Sequence, residues 1–187
     1  MKRPRIEGYA VISREGMIAT SDGLFPEEIK NPADHAFYMA AVARASAVAN
    51  GAHSAEGGPS EKDRKRLRLT RKVVRLVRDP KNANVTLWNP ATAPFDEAWA
   101  HLGIDGGSLA VVGGTDVFGL FLGIGYDAFF LTHTRGNVPN GRPVFPGVGK
   151  DGTTPADIMT KFDLVLRGTR LLDPASKTYV EEWGPKG

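Results

Sequence analysis

The chain has 187 residues, 41% of them hydrophobic, with mixed charge and a formal net charge of +3. That is enough for one well-buried core and short for two ordinary domains, and it excludes disorder, collagen and coiled coil. Cysteine is absent, which excludes disulfides, thiolate metal sites and thiol catalysis, and fits a cytoplasmic protein.

The first stretch, MKRPRIEGYAVISREGM, has basic residues but no unbroken apolar region before a small-residue cleavage site, so no signal peptide is expected. No apolar run is long enough for a membrane span. IEGYAVIS reads as a strand and MIATSDGLF as a loop. NPADHAFYMAAVARASA is the clearest helix start, with Asn31 as N-cap, Pro32 at N1 and Asp34 at N3. Its small residues Ala36, Ala40, Ala41 and Ala43 predict close packing on a sheet. AVANG is a short buried strand, and HSAEGGPSEKD a polar loop.

KRLRLTRKV reads as a partly exposed strand, DPKNANVTLWNP as a turn and strand, and FDEAWAHLGI as a short helix. In LAVVGGTDVFGLFL, at 109–122, a β-branched run breaks on two glycines and resumes at helical spacing, with Thr115 or Asp116 available as a cap. GYDAFFLTHT is another strand, and RGNVPNGRPVFPGVGKDGTTP a long Gly/Pro loop. FDLVLRGTRLLD-PASK-TYVEEW reads as an antiparallel hairpin. The alternation predicts one α/β domain over 1–187, with a mostly parallel sheet, helices on both faces and an antiparallel C-terminal edge.

Gly113 and Gly114 fit neither the Rossmann nor the Walker pattern. Two readings stay open: a tight structural turn, or a place where a phosphate meets the free amides of a helix start. The four histidines show no paired ligand spacing, so no metal is expected, and no G-x-S-x-G elbow is present. The basic run KDRKRLRLTRKVVRLVR reads first as a solvated edge strand. Nucleic-acid binding is its rival, weakened by the lack of interleaved aromatics.

Taken in order, several short stretches resemble the dihydrofolate reductase-like superfamily. VVGGTDVFGLFL, YDAFFLTHTRGNV and RPVFPGV are similar to its C-terminal half, where a Gly-Gly pair at a cis peptide precedes the helix that receives the NADPH diphosphate. AVISREGMIATSDG resembles the first strand and loop, closer to riboflavin-biosynthesis reductase domains. PADHAFYM resembles the first helix of true dihydrofolate reductases. The resemblance runs from about residue 6 to the terminal hairpin and implies that family's three-layer fold.

On this resemblance the cofactor is NADPH. Gly113, Gly114 and Thr115, with the amides of Asp116 and Val117, would line the diphosphate. Thr70 and Arg71 would hold the 2′-phosphate, Ile18 and Ala19 the carboxamide, and Gly51, His53 and Ser54 the adenosine-phosphate side. Ala52 replaces the family's phosphate-binding arginine. Asp34 matches the acidic residue that binds the substrate and helps deliver a proton, Thr132 the threonine supporting it, and Tyr38 would face a planar substrate. As an N3 residue, however, Asp34 is also favoured simply as a helix-start carboxylate, which would keep it ionised.

The implied function is hydride transfer to a C=N or C=O bond of a pteridine- or riboflavin-precursor-like heterocycle. The alternatives are a dihydrofolate reductase proper, and a non-catalytic nucleotide- or nucleic-acid-binding module. LFPEEIK lacks the tryptophan usual in folate reductases, and Arg64 is a candidate partner for a folate tail. The zinc deaminase that accompanies some riboflavin-pathway reductases needs cysteines, so only the reductase half is expected. The expected partners are a small heterocyclic substrate and a second copy in a homodimer, without nucleic acid or membrane.

Overall fold

The computed structural model describes residues 2–52 and 61–187. Its centre is a nine-stranded sheet in the order β10-β11-β8-β1-β7-β3-β4-β6-β5. Strands β8 (Ala128–His133), β1 (Arg5–Ile12), β7 (Ser108–Val111), β3 (Ala47–Gly51), β4 (Arg66–Leu69) and β6 (Asn82–Trp88) run parallel. Antiparallel strands close both sides: β11 (Thr178–Pro185) and β10 (Leu164–Asp173) on one, β5 (Leu76–Asp79) on the other. Parallel neighbours need long crossovers, which the helices supply.

Alternation along the strands separates two apolar clusters. On one face, Ala49, Val111, Phe129 and Leu131 join residues of three helices, α2 (Phe95–Leu102), α3 (Thr115–Ile124) and α4 (Pro155–Lys161). This side is a continuous aromatic packing: Phe129 meets Phe118, Tyr126 and Phe145 with ring centroids 5.0–5.4 Å apart. On the other face, Tyr9, Val48 and Ala110 pack with α1 (Pro32–Arg44) through Ala41 and Val42. Helices therefore cover both faces, and α1 stands alone on its own. Of the small residues on α1, only Ala41 is buried, while Ala36, Ala40 and Ala43 are exposed. The helix contacts the sheet through a narrower stripe than its composition suggests.

Three further elements depart from the sequence reading. The loops 13–30 and 134–154 are stitched by a small second sheet, β2 (Met17–Ala19) against β9 (Arg142–Pro143). A further helix, α4, starts at the last residue of the long Gly/Pro loop and runs through ADIMTK, a stretch for which the sequence predicts no element. The basic run divides between two strands: its first part, β4, lies inside the sheet between β3 and β6, and only its last residues reach the edge strand β5. Arg66 is only 1% exposed. Its guanidinium donates to Asn50 Oδ1 at 2.9 Å and lies 3.9 Å from Glu61, which is how a charge is accommodated inside the sheet.

Candidate active site

The chain leaves β1 toward β3, β4 and β6, returns to place β7 between β1 and β3, and then goes to β8 on the far side. Connections thus diverge at β1 and β7, and a crevice forms beyond the carboxyl ends of those strands. A cleft of about 1570 Å³ opens there, and it runs from α3 to α1. Among the described residues, every position expected to bind cofactor or substrate lines it except Arg64, and Ala52 lines it too; His53 and Ser54 lie outside the described residues.

The glycine corner is pinned by the sheet. Val112 N donates to Ala49 O and Gly51 N to Gly113 O, both at 3.0 Å. Gly113 has φ +107°, a conformation that favours glycine, and the Gly113–Gly114 peptide is cis. A Cβ on Gly114 would meet no heavy atom within 4 Å, so this side of the backbone is open to the cleft. The first helical bond of α3 is Phe118 N to Gly114 O at 2.9 Å. The amides of Thr115, Asp116 and Val117 therefore have no acceptor among the described residues. Neither expected side-chain cap forms. Gly114 is the N-cap, the Thr115 hydroxyl donates instead to Pro143 O at 2.5 Å, and Asp116 is exposed.

Past β4, the rim carries Thr70, Arg71 and Lys72. Thr70 is fixed by its amide on Trp88 O at 2.9 Å and accepts from Lys72 N at 3.1 Å. Arg71 and Lys72 are exposed and form no ion pair among the described residues. Two cations and a hydroxyl beside three free amides make this half of the cleft receptive to anions.

Asp34 lies at the opposite end. Asn31 caps α1 by accepting from Ala33 N at 2.9 Å and Asp34 N at 3.1 Å. Its Nδ2 donates to Asp173, Ser176 and Thr178 at 3.0–3.2 Å, which ties the helix start to the β10–β11 hairpin. The Asp34 carboxyl makes no capping-box bond to Asn31 among the described residues. It lies half-buried on the cleft wall and hydrogen-bonds the buried Thr132. Burial raises its pKa above the ordinary carboxylate range and outweighs the Thr132 bond, which lowers it. Position in the helix alone predicts the reverse. The helix-start effect loses here because the side chain is desolvated in the cleft.

Beside Asp34, Tyr9 and Phe130 stack with centroids 5.1 Å apart, and Phe37 meets both edge-on. The Arg170 guanidinium lies 5.0 Å above the Phe37 ring. Tyr38 lines the cleft four residues after Asp34, as helical spacing predicts. Arg64, in contrast, is not in this cleft: it donates to Val42 O at 2.7 Å in the last turns of α1.

Sequence reasoning missed several lining residues. Tyr9 and Phe130 were marked by strand alternation, which sends Phe130 to the α1 face once Phe129 is in the aromatic core. Leu24 and Phe25, 65% and 52% exposed, stand out as large apolar side chains in a polar loop. Arg142 and Lys30 carried no such signal, because loop packing brings them to the cleft. No group of three metal-ligating side chains occurs among the described residues, and no described helix is long and apolar enough to cross a membrane.

No protein-family model matches the chain, and no curated protein matches it. Solved structures do. A diaminohydroxyphosphoribosylaminopyrimidine deaminase/5-amino-6-(5-phosphoribosylamino)uracil reductase from Thermotoga maritima superposes with TM-score 0.64 at 20% identity. The match covers 98% of this chain and 57% of that one, so the chain spans little more than half of that protein. A protein from Shewanella sp. PV-4 assigned to riboflavin biosynthesis gives 0.67 at 13% identity, over 98% of this chain and 99% of the other. Dihydrofolate reductase from Enterococcus faecalis, complexed with NADP(H) and RAB-propyl, gives 0.64 at 15%, over 97% and 96%. The fold is dihydrofolate reductase-like.

Proposed function

We propose that the chain is an NADPH-dependent reductase that delivers a hydride to a C=N or C=O bond of a pteridine- or riboflavin-precursor-like heterocycle. One observation carries the reading: a single cleft joins the free α3 amides at Gly113–Gly114 to the half-buried carboxyl of Asp34.

The residues present fit such a cofactor. A Cβ at Gly114 would project into the cleft where nothing now touches it, so the glycine keeps the amides of Thr115, Asp116 and Val117 accessible to a diphosphate. Thr70 and Arg71 suit a 2′-phosphate, and Lys72 beside them supplies charge that Ala52 does not. The backbone of Ile18 and Ala19 is available to the carboxamide, and Gly51 to the adenosine-phosphate side.

When bound, the cofactor supplies the hydride; the protein handles the proton and the positioning. A raised pKa suits Asp34 to hold a proton beside a substrate nitrogen or oxygen, while Thr132 fixes the carboxyl. Tyr9, Phe37 and Phe130 offer a flat wall to a planar ring, and Leu24 and Phe25 at the mouth exclude water from it. One structural relative is assigned to riboflavin biosynthesis, one is named as a phosphoribosylaminouracil reductase and one is an NADP(H) complex, which supports the same reading. A homodimer through the open β10 edge, where Leu166 and Leu171 are exposed, belongs to the proposal.

Fluorescence titration with NADPH and NADH tests it, with single- and double-stranded oligonucleotides alongside. The expected result is saturable dinucleotide binding with NADPH preferred. Oligonucleotide binding without dinucleotide binding overturns it.

A further inference from the structure

A second cavity, of about 720 Å³, lies across the sheet from Asp34. Thr132 supports Asp34, so the next residue of β8, His133, points to the opposite face. Tyr179 is its cross-strand partner on β11, and the two rings stack with centroids 4.7 Å apart and planes 7° from parallel.

Three cations line this cavity, and each comes from a different segment. Arg14 follows β1, and its amide donates to Gly136 O at 3.0 Å. That bond holds the turn carrying Arg135 beside it. Thr134 donates to Ile12 O through both its amide, at 3.1 Å, and its hydroxyl, at 2.9 Å, so the two loops are locked together. Lys177 enters from the β10–β11 turn, where it has φ +56°.

No carboxylate forms an ion pair with any of the three among the described residues. The acids nearby have other partners. Glu15 accepts from Ser13 Oγ and Val138 N, and Asp173 from Ser176 Oγ, Asn31 Nδ2 and Ala175 N. Glu181 accepts from Trp183 Nε1 at 3.0 Å and lies 3.0 Å from His133 Nε2. Arg14, Arg135 and Lys177 thus present exposed cationic heads without an ion-pair partner among the described residues, and the Glu15 carboxylate acts on Arg14 only at longer range.

We propose that this cavity binds a small organic phosphate of nucleoside-monophosphate size, at a site separate from the reductase cleft. Two guanidinium groups and an ammonium supply the donors that a phosphate dianion takes. The His133–Tyr179 pair, with Pro174, offers a flat, partly apolar surface to the attached ring.

Isothermal titration with AMP, adenosine and inorganic phosphate tests the proposal on the full chain, with melting temperature as the folding control. Saturable AMP binding is expected, with adenosine binding much more weakly. The exposed double variant Arg14→Gln/Arg135→Gln should weaken AMP at least about tenfold, whereas Arg71→Gln, on the rim of the other cleft, should leave this binding in place. Inorganic phosphate that binds as tightly as AMP would remove the ring from the proposal. AMP affinity lost only in Arg71→Gln, affinity unchanged in the double variant, or no binding at all would overturn the site.

Discussion

The sequence begins two helices with nearly the same four residues, Asn31-Pro32-Ala33-Asp34 for α1 and Thr154-Pro155-Ala156-Asp157 for α4. Both have a polar N-cap, proline at N1 and aspartate at N3. Yet the two carboxyls end up in opposite states. Asp157 closes a capping box, accepting from Thr154 N at 2.8 Å and Thr154 Oγ1 at 2.7 Å, and its pKa falls below the usual range because of those bonds. Asp34 makes no such box, faces a cleft and is raised by burial. Local sequence sets where a helix starts. The surroundings decide whether its N3 carboxylate closes a capping box or is desolvated on a cleft wall.

The largest effect that would sharpen this contrast is on turnover. Once a substrate is in hand, Asp34→Asn should lower kcat by about a hundredfold or more, the range expected for losing a positioned acid. Its stability should move the other way. A carboxyl with its folded pKa above the unfolded value carries a penalty fully present above the folded pKa and relieved as pH falls toward the unfolded one. The variant should therefore melt higher than the parent at neutral pH, with the gap closing in acid. Full turnover in Asp34→Asn would make the two helix starts equivalent.

Next in size is Asn31→Ala. It removes the α1 cap and three Nδ2 bonds to the β10–β11 hairpin. A loss of about 1–2 kcal/mol is expected for the cap alone, read by urea denaturation. Because the same bonds hold Asp34 in place, the KM for substrate should rise as well. Thr154→Ala removes a cap that touches no cleft residue, so it should cost about 1 kcal/mol and leave kinetics unchanged. A kinetic effect of Thr154→Ala would break the division between the helices.

This pair also shows what the sequence could and could not tell. The α1 start was legible because a long apolar pattern follows it. The same cap signature before α4 introduces only seven residues, too few for helical spacing to emerge from a Gly/Pro-rich loop. The glycine corner was legible as a strand-to-helix turn, and its reading as a phosphate site rather than a tight turn came only through the family resemblance. Its pinning to β3 and the bond from Thr115 to Pro143 were not, because both depend on segments distant in sequence. Likewise RLRL shows strand alternation, but nothing in those letters says that Arg66 is buried against Asn50 rather than solvated at an edge. The Asp34–Thr132 pair was readable only through family resemblance, as about a hundred residues separate the two.

The smallest expected effect is that of Asp157→Asn, and its sign matters more than its size. Asp157 is fully exposed, so solvent and salt screen its charge. Its folded pKa is depressed, so its contribution is present above the unfolded pKa and is lost as pH falls through the folded value. Asp157→Asn should thus melt slightly below the parent at neutral pH and match it in acid, and added salt should narrow the difference. For Asp34→Asn the neutral-pH shift has the opposite sign. If both variants shifted the melting temperature in the same direction at neutral pH, the Asp34 carboxyl would be acting as a helix cap, and its part in proton delivery would have no physical basis.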